Sequence, residues 1–258
     1  MIRFILFACL CCELTVADET QGPNRSDDAV SGQTLLVDDF DRADGSNTKD
    51  AIGNGWSSNS GWRANGRKQA FLQDGHLVLK TAEGADHAVV MFHDLPKSFQ
   101  NGIVEVRFRA ERGTGFAVDL NDPKCRTVHS GHIANVAVTK RGVTIKDSKS
   151  GAMDLEHRRR LKSGTADATL KKQIAATVRT FPLPSTPDAV HVLSIAKCQD
   201  QLSVLLDGRL LGSHRSAGFS HPTIRKISIS VPGIAHSSPK LDSIRVLASA
   251  NDCEPASD

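Results

Sequence analysis

Two stretches of this chain, QAFLQDGHLVLK (residues 69–80) and LSVLLDGRLLGS (residues 202–213), each set an Asp-Gly pair between apolar runs. Asp-Gly favours the two-residue turn in which both central residues take positive φ, and that turn twists two antiparallel strands together. A third stretch, NVAVTKRGVTIKD (residues 135–147), turns more loosely at Lys140-Arg141-Gly142. The pattern continues in AVVMFHDL, GIVEVRFRAE, GFAVDL, AVHVLSIAKC, TIRKISISV and KLDSIRVLA, each bounded by turn residues. Counting both arms of each hairpin, about ten strands are expected. The economical architecture is all-β, a single sandwich of two antiparallel sheets.

One stretch breaks the alternation. In TADATLKKQIAATVRTF (residues 165–181), Ala166, Leu170, Ile174, Val178 and Phe181 recur at the spacing of one helix face. Thr165 or Asp167 could cap this helix, and Pro182 and Pro184 would end it. The basic run EHRRRLK lies just before it. Residues 150–186 are expected to form an insertion lying against the sandwich, too small for a core of its own.

The N-terminus has Arg3, then an apolar run from Phe4 to Cys12, then Thr15-Val16-Ala17 as a small-residue cleavage site. That is the layout of a signal peptide over residues 1–17, and the run is too short to span a membrane. Export to the periplasm, cell surface or medium is therefore expected, with no transmembrane segment in the mature chain. Residues 18–32 read as a flexible leader, 33–249 as the folded domain and 250–258 as a disordered tail. Cleavage leaves Cys125, Cys198 and Cys253, so at most one internal bridge and one free thiol are possible. The plain expectation for Cys198 is a buried free thiol in a strand. The net charge of +3 is too small to point to nucleic acid or membrane.

DDFDRADG and GNGW near the start, the LQDGHLVL hairpin and the final KLDSIRVLA strand resemble concanavalin A-like jelly rolls. DHAVVMFHDL, GIVEVRFR, GFAVDLND, HSGH, VTIKDSKSG, DLEHRR and SHRSAGFSHPT resemble exported bacterial proteins of the 3-keto-disaccharide hydrolase domain family, in a planctomycete-type form. The likeness covers roughly residues 35–248. It implies a secreted jelly roll that binds sugars, or cleaves glycosides already oxidised at C3. No catalytic motif carries over residue by residue. Laminarinase-like jelly rolls have Glu-x-Asp-x-x-Glu on one strand. Here a comparable strand reads Glu105-Val106-Arg107-Phe108-Arg109, without the paired carboxylates that retaining hydrolysis needs.

Alternation puts Glu105, Arg107 and Arg109 on one strand face, and Asp119 and Asn121 on another. If the two strands were neighbours, these residues would share one polar surface, the concave face where jelly rolls bind ligands. The bland alternative is a solvated face with cross-strand ion pairs. Asp119, Asn121, Asp122 and His129 could hold a divalent metal such as Ca²⁺ or Mn²⁺, although Asn-Asp-Pro is also ordinary turn chemistry. His132 is in phase with Ala134, Val136 and Val138, which suggests a core-edge histidine; His129 is the better general acid or base.

His87 follows Asp86 into another strand and could approach the same face. Tyrosine is absent, and of Trp56 and Trp62 the second, beside Arg63 and Arg67, is expected to be exposed and to stack on a sugar. HRRR at 157–160 could attract acidic or sulfated polysaccharides, or could be a solvated charge run. The expected partner is a carbohydrate. In an enzyme, His129 or Asp119 would move the proton, Arg107 and Arg109 would hold polar substrate groups, and a metal could polarise the ketone. The alternatives are a non-catalytic glycan-binding or adhesion module, or a structural envelope protein.

Overall fold

A computed structural model of the chain describes residues 32–109, 115–184, 189–231 and 239–249. The expected signal peptide, the tail, Cys253 and all of the leader except Gly32 lie outside the described residues. Gly32 itself opens the first strand. In chain order the elements are β1 (Gly32–Asp38), β2 (Trp56–Ser58), α1 (Ser60–Arg63), β3 (Ala70–Gln73), β4 (His76–Leu79), β5 (Val90–Phe99) and β6 (Gly102–Arg109). Then come β7 (Phe116–Asn121), β8 (His132–Thr139), β9 (Gly142–Asp147), α2 (Leu155–Lys162), α3 (Ala168–Ala176) and β10 (Val178–Phe181). The remainder is β11 (Val190–Cys198), β12 (Gln201–Leu206), β13 (Arg209–Arg215), β14 (Ile224–Ser230) and β15 (Lys240–Ser249).

The strands form two antiparallel sheets. One has the order β13-β12-β11-β6-β15-β4-β3, with β1 also on β15; the other runs β10-β9-β8-β7-β14-β5-β2. Both Asp-Gly pairs make the expected turns, with positive φ at Asp74, Gly75, Asp207 and Gly208. Val104, Val106 and Phe108 of the first sheet face Phe116, Val118 and Leu120 of the second in a single core. Phe108 and Phe116 meet edge to face there, with ring centroids 5.0 Å apart.

The DDFDR and GNGW runs have a structural explanation. The buried Asp38 carboxylate accepts hydrogen bonds from the Phe40 N–H, both terminal guanidinium nitrogens of Arg42, the Asn54 amide and the Trp56 indole N–H. A charge can be buried when it is paired and fully hydrogen-bonded, and this one ties the end of β1 to the start of β2.

The expected helix over 165–181 is shorter than its periodicity suggests. Asp167 caps α3, its side chain accepting from the Leu170 N–H at 2.8 Å. Thr177 then ends it, its hydroxyl donating to the Ile174 carbonyl at 2.7 Å. Val178 and Phe181 therefore belong to β10, which pairs with β9. A run of β-branched and aromatic residues gains more on a sheet edge than in another helical turn. The 150–186 segment is thus partly built into the second sheet. Its basic run is itself helical: Asp154 caps α2 by accepting from the Glu156 and His157 N–H groups.

Cys198 is disulfide-bonded, correcting the expectation of a free thiol; it stands at the last position of β11, where the strand leaves the core. Cys125 is free. On the same strand Lys197 is 2% exposed, its Nζ donating to the Gln100 carbonyl at 2.6 Å. Burial alone pushes its ammonium down to about 8. An unfolded lysine titrates near 10.4, so between about pH 8 and that value the unfolded chain binds more protons and stability rises with pH. We expect Lys197→Met to stabilise the protein at neutral pH by on the order of 1–3 kcal/mol. Denaturant melts from neutral to alkaline pH should show the variant's advantage shrinking as pH rises.

Candidate functional site

The outer face of the second sheet floors a groove of ≈ 850 Å³. Registered pairs align Phe92, Ser228, Asp119, Asn135 and Lys146 in one row running across β5, β14, β7, β8 and β9. At ordinary strand spacing that row spans roughly 19 Å, enough for several sugar units. Trp62 stands over one end, 64% exposed and stacked on Phe92 with centroids 6.2 Å apart. Asn59 fixes this wall: its amide donates to the Ala88 carbonyl and accepts from the Val90 N–H. His87 lies on the same wall, its ring turned to the Ala88 carbonyl at 2.8 Å. The opposite wall is the 129–131 turn, tied to the start of α2 by His129 N–H to Met153 O and Leu155 N–H to Thr127 O.

Glu105, Arg107 and Arg109 are not part of this groove. β6 and β7 are consecutive in the chain but lie in different sheets, packed core to core. Their polar faces therefore point to opposite sides of the sandwich. On the far side Arg107 pairs with Asp242 at 3.4 Å, and Glu105 accepts from Ser194 and lies 4.0 Å from Arg245. That is the solvated face with cross-strand pairing. It replaces the expected substrate contacts of these three residues.

Asp119 and Asn121 do reach the groove, and so does His132, which its apolar phase would put at the core edge. His132 should share the inward phase of Ala134 and Val136, but the β7–β8 register slips between Leu120 and Asn121. One extra residue on β8 turns His132 to the opposite face, across from Asn121. The bulge follows from the tight return before it. Gly131 has φ +75, and a Cβ there would lie 2.4 Å from the Asp122 carbonyl oxygen, so the chain comes back close to itself.

The His132 Nδ1 lies 3.2 Å from Asp119 Oδ1, which also accepts from the Asn135 amide at 3.1 Å. A carboxylate only accepts, so the Nδ1 carries the hydrogen, and in the neutral ring the lone pair is left on Nε2. Asp119 is thus an orienting group and His132 the group able to take a proton. His129 stacks beside it, centroids 6.5 Å apart. Loss of water around its ring, then the positive charge of Arg158, hold the His129 imidazole below its ordinary value. Asn121 donates to Ser228 Oγ at 2.8 Å, while its buried Oδ1 has no hydrogen-bond partner.

The expected metal set of Asp119, Asp122 and His129 is not assembled. Asp122 sits where the chain turns out of β7, and its buried carboxylate accepts from His221 at 3.0 Å, Thr223 at 2.5 Å and the Lys124 N–H at 2.9 Å. It staples the turn to the segment before β14. No cluster of three His, Cys, Asp or Glu able to hold a metal occurs among the described residues.

Sheet order and connectivity define a concanavalin A-like jelly-roll sandwich. No family model and no curated protein sequence matches the chain. Solved structures with this fold include the laminarinase from Rhodothermus marinus, at 15% identity and TM-score 0.55, covering 85% of this chain and 98% of that one. SCLam, a non-specific endo-β-1,3(4)-glucanase of family GH16, aligns at 11% identity and TM-score 0.53 over 84% of this chain and 91% of its own. A GlcNAcα1-4Gal-releasing endo-β-galactosidase from Clostridium perfringens aligns at 11% identity and TM-score 0.53, over 86% and 64%. At these identities the likeness is one of fold.

Proposed function

We propose that this is an exported carbohydrate-active protein that takes a glycan across the row from Trp62 to Lys146 and cleaves glycosides carrying a ketone at C3. The observation that carries this reading is the Asp119–His132 pair on the groove floor. Hydrolysis by two carboxylates finds no support in the groove. The groove's two carboxylates are Asp86, exposed on the wall beside Arg63, and Asp119, which holds His132 on the floor. A ketone at C3 removes that need, because it acidifies the C2 hydrogen. His132 Nε2 takes that proton, and the C2–H electrons form an enolate on the C3 oxygen. The enolate re-forms the ketone as a C1–C2 double bond forms and the C1–O bond breaks. The departing oxygen takes up a proton, and water adds across the double bond to give a free 3-keto sugar. One oriented base suffices. The apolar N-terminal run and the disulfide at Cys198 support export. The resemblance to the 3-keto-disaccharide hydrolase domain family supports the substrate class.

A second reading has its own observation: β7 presents Ala117 and Asn121 on either side of Asp119, leaving one carboxylate on the central strand. That suits a binding module. Matched glycosides in plain and 3-keto form separate the two readings. Release of sugar from the keto form alone supports the enzyme. Saturable binding of either form without release selects the module.

A further inference from the structure

The charges around the groove are unevenly balanced. Arg63, Lys146 and Lys226 line it, against Asp86 and Asp119. Asp86 faces Arg63 in a pair exposed on both sides, and Asp119 orients the His132 ring. Lys226 reaches Asp94 at 3.2 Å, a carboxylate 79% exposed and therefore weakly neutralising. Lys146, at the end of the floor row, has no ion-pair partner among the described residues.

α2 repeats this asymmetry. Arg159 pairs with Glu156 at 2.6 Å and Arg160 with Asp167 at 2.9 Å. Arg158 and Lys162, one turn apart on another face, have no carboxylate partner among the described residues. Arg158 instead contacts the sulfur of Met153, a groove residue, at 4.0 Å. Both cations act on His129 in the groove wall. Like charges four apart weaken a helix when nothing lies between them. Arg159 is thus neutralised within α2 and Arg160 by the cap of α3, while Arg158 and Lys162 are left uncompensated.

We propose that the groove takes an anionic polysaccharide, its sulfate esters or carboxylates lying between Lys146 and the Arg158–Lys162 face of α2. This rests on the glycan reading above and narrows it. The overall charge of +3 is too slight to attract polyanions indiscriminately, so the recognition is local.

The test measures binding of the full chain to three polysaccharides: a neutral β-glucan, the same backbone sulfated, and a polyuronate. Two double variants, Arg158→Gln with Lys162→Gln and Arg159→Gln with Arg160→Gln, remove equal charge from different faces of α2. We expect the anionic chains to bind more tightly than the neutral one, and added salt to weaken them. The Arg158 and Lys162 variant should lose on the order of tenfold affinity while the Arg159 and Arg160 variant keeps it. Preference for the sulfated or the uronate chain identifies which anion the site reads. Equal binding of neutral and anionic chains, or equal loss in the two variants, overturns the proposal while leaving the glycan reading intact. No binding to any of the three overturns both.

Discussion

Asp38→Ala is expected to destabilise the protein by about 3 kcal/mol, because it leaves the Arg42 guanidinium, the Asn54 amide and the Trp56 indole without their shared acceptor. For a domain of this size that lowers Tm by about 6–12 °C. Asp38→Asn should lose less, since an amide oxygen still accepts, but it offers an NH₂ where only donors converge. The same carboxylate sets the acid limit. In Asp38, Asp44 and Asp122 burial pushes the carboxyl up, but hydrogen bonds, led by Arg42, Lys68 and Thr223 respectively, outweigh it and hold each below its usual value. Their stabilisation is complete above about pH 4, where an unfolded aspartate is ionised, and is lost as pH falls through the lower folded values. Thermal melts from neutral to acid pH should show the wild type falling toward the Asp38→Ala curve at the acid end. A wild type and variant that melt together at neutral pH would remove the DDFDR and GNGW runs from any structural role.

How far the fold could be read in advance depended on whether a local signal decided it. The Asp-Gly hairpins were legible because only a few residues tolerate two successive positive φ values, and both turns are in place at Asp74-Gly75 and Asp207-Gly208. Alternation likewise identified the inward faces of β6 and β7. It carries no information on which sheet each strand joins; a surface shared by Arg107 and Asp119 requires β6 and β7 to be neighbours, and the whole core separates them. His132 was hidden for a different reason. Period-two reasoning assumes an unbroken ladder, and a single bulge reverses it. Ser130-Gly131, both at positive φ just before β8, was the one hint that the ladder could slip. Val178 and Phe181 fitted a helical period that Thr177 cut short. Asp122 looked like a neighbour of Asp119 in sequence, yet the end of β7 directs the two carboxylates into separate networks.

That separation supplies the sharpest test of the site, since the described residues hold four Asp–His pairs and only Asp119–His132 lines the groove. On 3-keto glycosides, His132→Ala is expected to lower kcat by about 10²–10⁴-fold, the usual weight of a positioned proton-transfer group, with KM little changed. Asp119→Asn keeps an acceptor for the His132 Nδ1–H but removes the charge that steadies the ring as it takes a proton, so a fall of about 10–100-fold is expected. Added imidazole should restore part of the rate to His132→Ala, because the alanine leaves the space of the lost ring beside His129. Asp122→Asn is the control. It weakens a buried pair with His221 at a similar distance, and should lower Tm while leaving kcat near wild type. If His132→Ala stays within a few-fold of wild type while Asp122→Asn loses turnover, the chemistry lies elsewhere and the Asp119–His132 pair is architecture. A loss in both variants that follows their loss of Tm would mean that folding alone is being read, and would leave His132 without a catalytic part.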